Sequence, residues 1–244
     1  MGASHQALLM IGAAAGGFNP DISLVKILLH GDGTDGANVS STEDVRGHLL
    51  VNGAGLVDYD TAQSVFGGSS MLFTGAGDSQ PGVNQSMLQM QSSTDFNAGT
   101  SDFALELRIR LNALPSVTGF VWDGRTNSAD GAHMTLYVSS AGVLIYHANS
   151  ATRITGQTLS TGVWYGLCVS RVGTSTRLFV DGMQSGSTYS DSTNYTGALP
   201  CIGATLAPFD PKYGINGWID ELRLTIGEGI SANYTLRTSA FPDS

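Results

Sequence analysis

Few side chains in these 244 residues are placed to do chemistry, and the carboxylate of Asp220 stands out among them. It lies in Gly217-Trp218-Ile219-Asp220-Glu221-Leu222-Arg223-Leu224-Thr225, which reads as a strand. Successive strand side chains point to opposite faces. Trp218, Leu222, Leu224 and Ile226 are therefore expected on one face with Asp220 among them, and Ile219, Glu221, Arg223 and Thr225 on the other. A carboxylate on an apolar face needs a cation, a cluster of donors or a raised pKa. Asp220 is expected to be either a structural anchor or part of a metal site.

Other chemistry is sparse. Glycoside hydrolysis needs two carboxylates, about 5–10 Å apart, flanking the bond. Glu106 stands alone between apolar neighbours, and Glu221 is expected to face away from Asp220. Hydrolase activity is not expected, and the chain reads as a non-enzyme. His5, His30, His48, His133 and His147 lack the spacing of a zinc site. Gly31-Asp32-Gly33 reads as a tight turn, without the strand–glycine–helix context of a nucleotide loop. Cys168 and Cys201 give no disulfide framework. They read as buried reduced thiols, a bridge between them being the alternative. A glycan site needs exposed aromatics beside planar polar groups. Trp122, Tyr189 and Tyr213 are the glycan candidates, with Tyr195 and Tyr234 next, because their neighbours are turn-like. Trp164 and Trp218 are expected in the core.

Composition narrows the classes. The formal net charge is −9, and only two of the eleven basic residues are lysines. Without a basic stripe, neither nucleic acid nor an anionic membrane is an expected partner. Cations, neutral sugars and basic proteins suit an acidic chain. Only 13% of residues are charged against 41% apolar, so much of the surface is expected to be covered or neutral. Residues 7–15 form a short apolar run, but residues 1–6 carry no Lys or Arg, so a signal peptide is not expected. No apolar run reaches the length of a membrane span.

The elements that must position these residues read as strands. Glycine, at 32 residues, is nearly twice its usual share and has no collagen-like period, which is turn chemistry repeated many times. Strands are expected at 25–30, 48–51, 69–73, 86–90, 103–111, 117–122, 133–139, 143–147, 163–171, 176–180, 199–202 and 218–226. The clearest is 103–111, with Phe103, Leu105, Leu107, Ile109 and Leu111 on one face and Ala104, Glu106, Arg108 and Arg110 on the other. About a dozen strands in one domain predict a sandwich. Residues 1–20 differ: apolar, rich in Gly and Ala, and ending at Pro20. They read as an arm that packs either on its own domain, residues 21–244, or on another chain.

Several stretches resemble, in order and spacing, the laminin-G-like branch of the concanavalin A-like lectin/glucanase superfamily. They are 25–36, 66–78, 93–107, Trp164-Tyr165-Gly166-Leu167, Arg177-Leu178-Phe179-Val180-Asp181-Gly182, Ile202-Gly203 and Gly217-Trp218-Ile219-Asp220-Glu221. The version in tailed-phage virion proteins is the most similar. Gly166 stands where that version usually has a histidine, and Asn233 where it usually has an arginine. The resemblance implies an all-β jelly-roll sandwich of two antiparallel sheets with an N-terminal extended arm. It implies a phage virion structural protein, a capsid decoration (cement) protein or small tail or fibre component. Such a protein would be assembled in the bacterial host cytoplasm among other virion proteins and copies of itself. Leu8, Leu9, Met10, Ile11 and Phe18 of the arm would then make partner contacts. The alternative is a carbohydrate-binding module that attaches a particle to a cell-surface glycan. Many relatives bind calcium, and Asp220, with Asp32 and Asp78 if their loops converge, are the residues that would hold it.

Overall fold

The computed structural model describes residues 17–75, 86–125, 131–205 and 213–244. Its strands, in chain order, begin with β1 (Val25–Leu29), β2 (Leu50–Asn52), β3 (Val57–Asp60), β4 (Ser70–Thr74) and β5 (Leu88–Met90). Then come β6 (Phe103–Ala113), β7 (Thr118–Asp123), β8 (Met134–Ser139), β9 (Val143–Ala148) and β10 (Ala151–Thr158). The set ends with β11 (Trp164–Val172), β12 (Ser175–Val180), β13 (Met183–Gln184), β14 (Tyr189–Ser190), β15 (Cys201–Ile202) and β16 (Asn216–Ile226). Three short 3-10 turns, Ile22–Leu24, Gly53–Gly55 and Thr94–Phe96, are the helical elements among the described residues. No helix there is long and apolar enough to cross a membrane.

Among the described residues the strands form two antiparallel sheets, as the sandwich reading predicts. The nine-stranded sheet runs β13-β12-β11-β6-β16-β4-β3, with β1 also on β16 and β14 on β12. The seven-stranded sheet runs β10-β9-β8-β7-β15-β5-β2. One apolar core fills the space between them, and it holds the alternate residues Phe103, Leu105, Leu107, Ile109 and Leu111 of β6. Cys168 and Cys201 are buried free thiols, Cys168 on β11 of one sheet and Cys201 on β15 of the other. Burial pushes the Cys168 thiol well above its ordinary pKa.

Four strands escape the sequence reading: β3, β10 and the two-residue β13 and β14. β10 carries little apolar alternation because it is an edge strand, and Ile154 is its one buried residue. β3 does alternate, with Val57 and Tyr59 inward, but its four residues include two aspartates.

β16 departs from regular alternation. Its pairing with β6 slips between Asp220 and Arg223, and Glu221 adopts φ +52°. That is a β-bulge, which inserts extra backbone and changes which face each later residue meets. Before it, Ile219 points into the core; after it, Leu222 and Leu224 do. Trp218 lies opposite Arg110 on the outer face, so the expectation of a core tryptophan is corrected. Asp220 does not share a face with Leu222 and Leu224, and the apparent charge among apolar residues is a product of the bulge. The bulge sits where the neighbour of β16 changes from β4, paired with 216–219, to β1, paired with 222–225. In that gap the Asp220 Oδ2 accepts the Val65 and Phe66 N–H groups at 2.6 and 3.2 Å. Asp220 is the structural anchor that the sequence offered as one alternative.

Part of the outer face of the nine-stranded sheet is covered by the chain itself. Ile230 packs with Ala104, Cys168 and Phe179, joined by Phe18 and Tyr234. The Arg223 guanidinium stacks on Phe18 and Phe241, 5.5 and 3.9 Å from the ring centroids, and meets the Glu106 carboxylate at 2.6 Å. Burial pushes the Glu106 pKa up, and Arg223 opposes that push. At the end of the tail His30 bridges Glu221 and Asp243, at 2.7 Å to each. Phe18, expected to serve a partner, here packs on its own domain. Leu8, Leu9, Met10 and Ile11 lie outside the described residues.

Candidate functional site: an aromatic groove on the seven-stranded sheet

The opposite outer face carries a cavity of about 270 Å³ over β7, β8 and β9. Register builds it. Phe120 pairs with Tyr137 across β7 and β8, and Thr135 with His147 across β8 and β9. Paired residues share a face, so three aromatic rings and a threonine hydroxyl converge. Phe120 and Tyr137 are 5.5 Å apart between centroids, Tyr137 and His147 6.4 Å.

Tyr213 closes one side, its ring 6.2 Å from Phe120. Its carbonyl accepts the Phe120 N–H at 2.8 Å, and Gly214 forms a parallel bridge to Phe120. Its φ is +77°, in the left-handed region. An aromatic residue there carries strain of about 1–3 kcal/mol, a feature that concentrates at binding sites.

Arg125 supplies the planar polar group. Its Nε and Nη2 donate to both oxygens of buried Asp123 at 2.8–3.2 Å. The guanidinium lies 5.3 Å from the Phe120 ring centroid. It is held by a bidentate pair and a ring face, so its position is set before any ligand arrives. The pair also cancels its own charge. Among the described lining residues there is no carboxylate side chain.

Of the sequence candidates, only Tyr213 joins this groove. Trp122 is corrected: the β7 register slips between Phe120 and Trp122, and the indole turns into the core at 1% exposure. Tyr189 packs against the core at the β14 edge, with Arg153 4.9 Å over its ring. Tyr195 is buried with its hydroxyl on Asp191 and Tyr146, and Tyr234 packs on Phe179. Phe120, Tyr137, His147 and Arg125 were not singled out from the sequence. The available signal was Thr135, Tyr137 and Ser139 alternating with apolar Leu136 and Val138 on one strand.

The proposed calcium ligands are placed as follows. Asp220 is fully buried with Oδ1 unpartnered among the described residues. Burial, opposed by the two N–H bonds, raises its pKa to about 7. Asp32 is near enough for its charge to add to that rise, and it rests over Gly67, where any Cβ would strike its carboxylate. Asp78 lies outside the described residues. No group of three His, Cys, Asp or Glu side chains suited to a metal occurs among the described residues. Calcium takes six to eight oxygens, and among the described residues the candidates supply the two carboxylates of Asp220 and Asp32.

A family model described as the concanavalin A-like lectin/glucanases superfamily matches residues 83–225, more than half of the chain. No curated protein matches. Among solved structures, Trypanosoma rangeli sialidase in complex with 2,3-difluorosialic acid is similar at TM-score 0.61 and 13% identity, over 91% of this chain and 33% of that one. The binding domain of Paraclostridial Mosquitocidal Protein 1 is similar at 0.61 and 10% identity, over 86% of this chain and 50% of that one. Domain 4 of an extracellular arabinanase from Geobacillus stearothermophilus, in complex with arabinotriose, is similar at 0.53 and 17% identity, over 85% of this chain and 94% of that one. The chain spans a third to a half of the sialidase and toxin chains. At these identities the likeness is one of fold.

Proposed function

The chain belongs to the concanavalin A-like lectin/glucanases superfamily, and from that premise we propose that it is a non-catalytic carbohydrate-binding module. The groove of Phe120, Tyr137 and Tyr213 holds a neutral glycan. The observation that carries this reading is the convergence of three aromatic rings around a charge-neutralised arginine on an open sheet face. A sugar ring has an apolar C–H face and a rim of hydroxyls. Ring faces take the first, and Arg125, Thr135 and His147 face the second. Apolar cavities with a few fixed polar groups are the usual form of small-ligand sites. The solved arabinotriose complex and the toxin binding domain support the reading by analogy of fold.

Affinity electrophoresis against neutral polysaccharides tests it. Retardation by at least one polymer, lost in Tyr137→Ala and Phe120→Ala with unchanged circular dichroism, is the expected result. Retardation that survives both substitutions would remove the groove as the site.

A finer setting is display on a tailed-phage virion, as a decoration, tail or fibre component among copies of itself. The resemblance of the opening and C-terminal motifs supports this, and so does one placement. Phe18 sits on the outer face of the nine-stranded sheet, opposite the groove. A segment anchored there would leave the groove facing outward. Deleting residues 1–16 is expected to abolish incorporation into particles while the sandwich still folds. Incorporation of the deleted chain would end this reading and leave the glycan site untouched.

A further inference from the structure

The tail covers only part of the outer face of the nine-stranded sheet. Beyond it, one cross-strand row stays open. Trp164 on β11 pairs with Arg110 on β6, and Arg110 pairs with Trp218 on β16. All three are partly exposed. Since neighbouring strands lie about 4.8 Å apart, the two tryptophans stand about 10 Å apart with the arginine between them, roughly two ring-to-ring steps along a glycan.

Two members of the row are held in place by side-chain contacts. The Arg110 guanidinium lies 5.4 Å from the Trp218 ring centroid. The Trp218 Nε1–H donates to Asp60 Oδ2 at 2.8 Å, which fixes the indole plane. On the adjoining row, exposed Asn112 and Asn216 are joined at 3.1 Å, Nδ2 to Oδ1.

Arg110 differs from the groove arginine in one decisive respect. Arg125 is neutralised by Asp123, and Arg223 by Glu106. Arg110 makes no ion pair among the described residues, although the chain carries a net charge of −9. A guanidinium resting on one indole face, with a second tryptophan opposite it on the neighbouring strand and no anion, suits a ligand that brings its own carboxylate.

We propose that Trp164, Arg110 and Trp218 form a second glycan site, selective for sugars bearing a carboxylate. The indoles take the C–H faces of the outer two rings of a three-sugar stretch and the guanidinium takes the carboxylate between them. The two sites then differ in ligand charge, one neutral and one acidic, on opposite faces of the sandwich. The inference does not rest on the groove being a glycan site.

Tryptophan fluorescence tests it directly. The chain has three tryptophans; Trp122 is buried in the core, and the groove is lined by none among the described residues. The full chain is titrated with trigalacturonate and with its neutral methyl ester. The expected result is a saturable change with the acid, at least tenfold weaker with the ester. Arg110→Gln is expected to weaken acid binding at least tenfold. Trp164→Ala is expected to abolish the signal with unchanged circular dichroism, while Tyr137→Ala in the groove leaves it intact. Should Trp164→Ala fail to fold, Arg110→Gln and the acid–ester comparison still decide the matter. No saturable change, equal affinity for acid and ester, or loss of the signal in Tyr137→Ala would overturn the proposal. So would a concentration-dependent dimer that Arg110→Gln dissociates, because the row would then be an interface between copies of this chain.

Discussion

The two outer faces of this sandwich are built by the same alternation and meet different fates. On the nine-stranded sheet, outward Glu106, Ser170, Arg223 and Thr225 are buried, because Phe18 and residues 227–244 lie over them. On the seven-stranded sheet, outward Phe120 and Tyr137 remain partly exposed around a cavity. Polar side chains sit under the chain's own tail, and aromatic ones line the open groove. The difference teaches how to read outward-facing residues. The Glu106–Arg223 pair lies under the tail, where its polar groups are satisfied internally. An outward aromatic cluster marks a face that awaits a ligand.

The harshest test of this contrast is Arg223→Ala. It would leave the Glu106 carboxylate buried without its cation, and the expected loss of stability is about 3–5 kcal/mol by urea denaturation. A loss below about 1 kcal/mol would mean that the tail does not seal this face.

Tyr137→Ala should behave in the opposite way. Glycan affinity is expected to fall at least tenfold, about 1.4 kcal/mol, with little change in the thermal midpoint. A large drop in the midpoint would make Tyr137 part of the core rather than of a ligand site.

The clasp between tail and sheet should respond to pH. His30 is raised to about 9, first by its hydrogen bond to Glu221 and then by Asp243. A histidine whose folded pKa exceeds its unfolded value of about 6.5 stabilises fully below that value. Its contribution is lost as pH rises through about 9. With Asp243 largely in solvent, about 1–2 kcal/mol is expected, and His30→Gln should flatten the slope between pH 6.5 and 9. Asp220 adds a separate slope. Its pKa is raised to about 7, so the folded state holds its proton longer and stability falls as pH rises from about 4 to 7. Asp220→Asn should remove that segment of the curve, and an unchanged curve would count against burial as the cause.

Chelation is expected to have the smallest effect, an unchanged thermal midpoint, because the described carboxylates near Asp220 are too few for calcium. A lower midpoint would show that residues outside the described ones complete a site.

How far the fold was legible depends on the range of each cause. On β6 the two-residue period is a local property, and Phe103, Leu105, Leu107, Ile109 and Leu111 point inward as read. Trp164, read as core, is partly exposed on the outer face opposite Arg110; Trp122 and Trp218 were misassigned for one shared reason. Register slips in β7 and in β16 change the parity of the strand, and a slip of one residue exchanges the faces. Nothing in the residue types announces the bulge at Glu221, a non-glycine at positive φ. Low charge content led to the expectation of a covered or neutral surface, and the chain's own tail covers part of one sheet face.

Local chemistry thus settled much from the residues alone: a two-sheet sandwich, inward alternation on the regular strands, and the absence of paired glutamates along any strand. The two faces proposed for binding came from long-range pairing instead. Phe120, Tyr137, His147 and Tyr213 are far apart in the chain and meet only through antiparallel register and the Tyr213–Phe120 backbone bond. Trp164, Arg110 and Trp218 meet because β11 and β16 happen to flank β6. Alternation is dictated by the geometry of one strand, whereas convergence depends on which strands lie side by side and in what register, and only packing of the whole chain selects that.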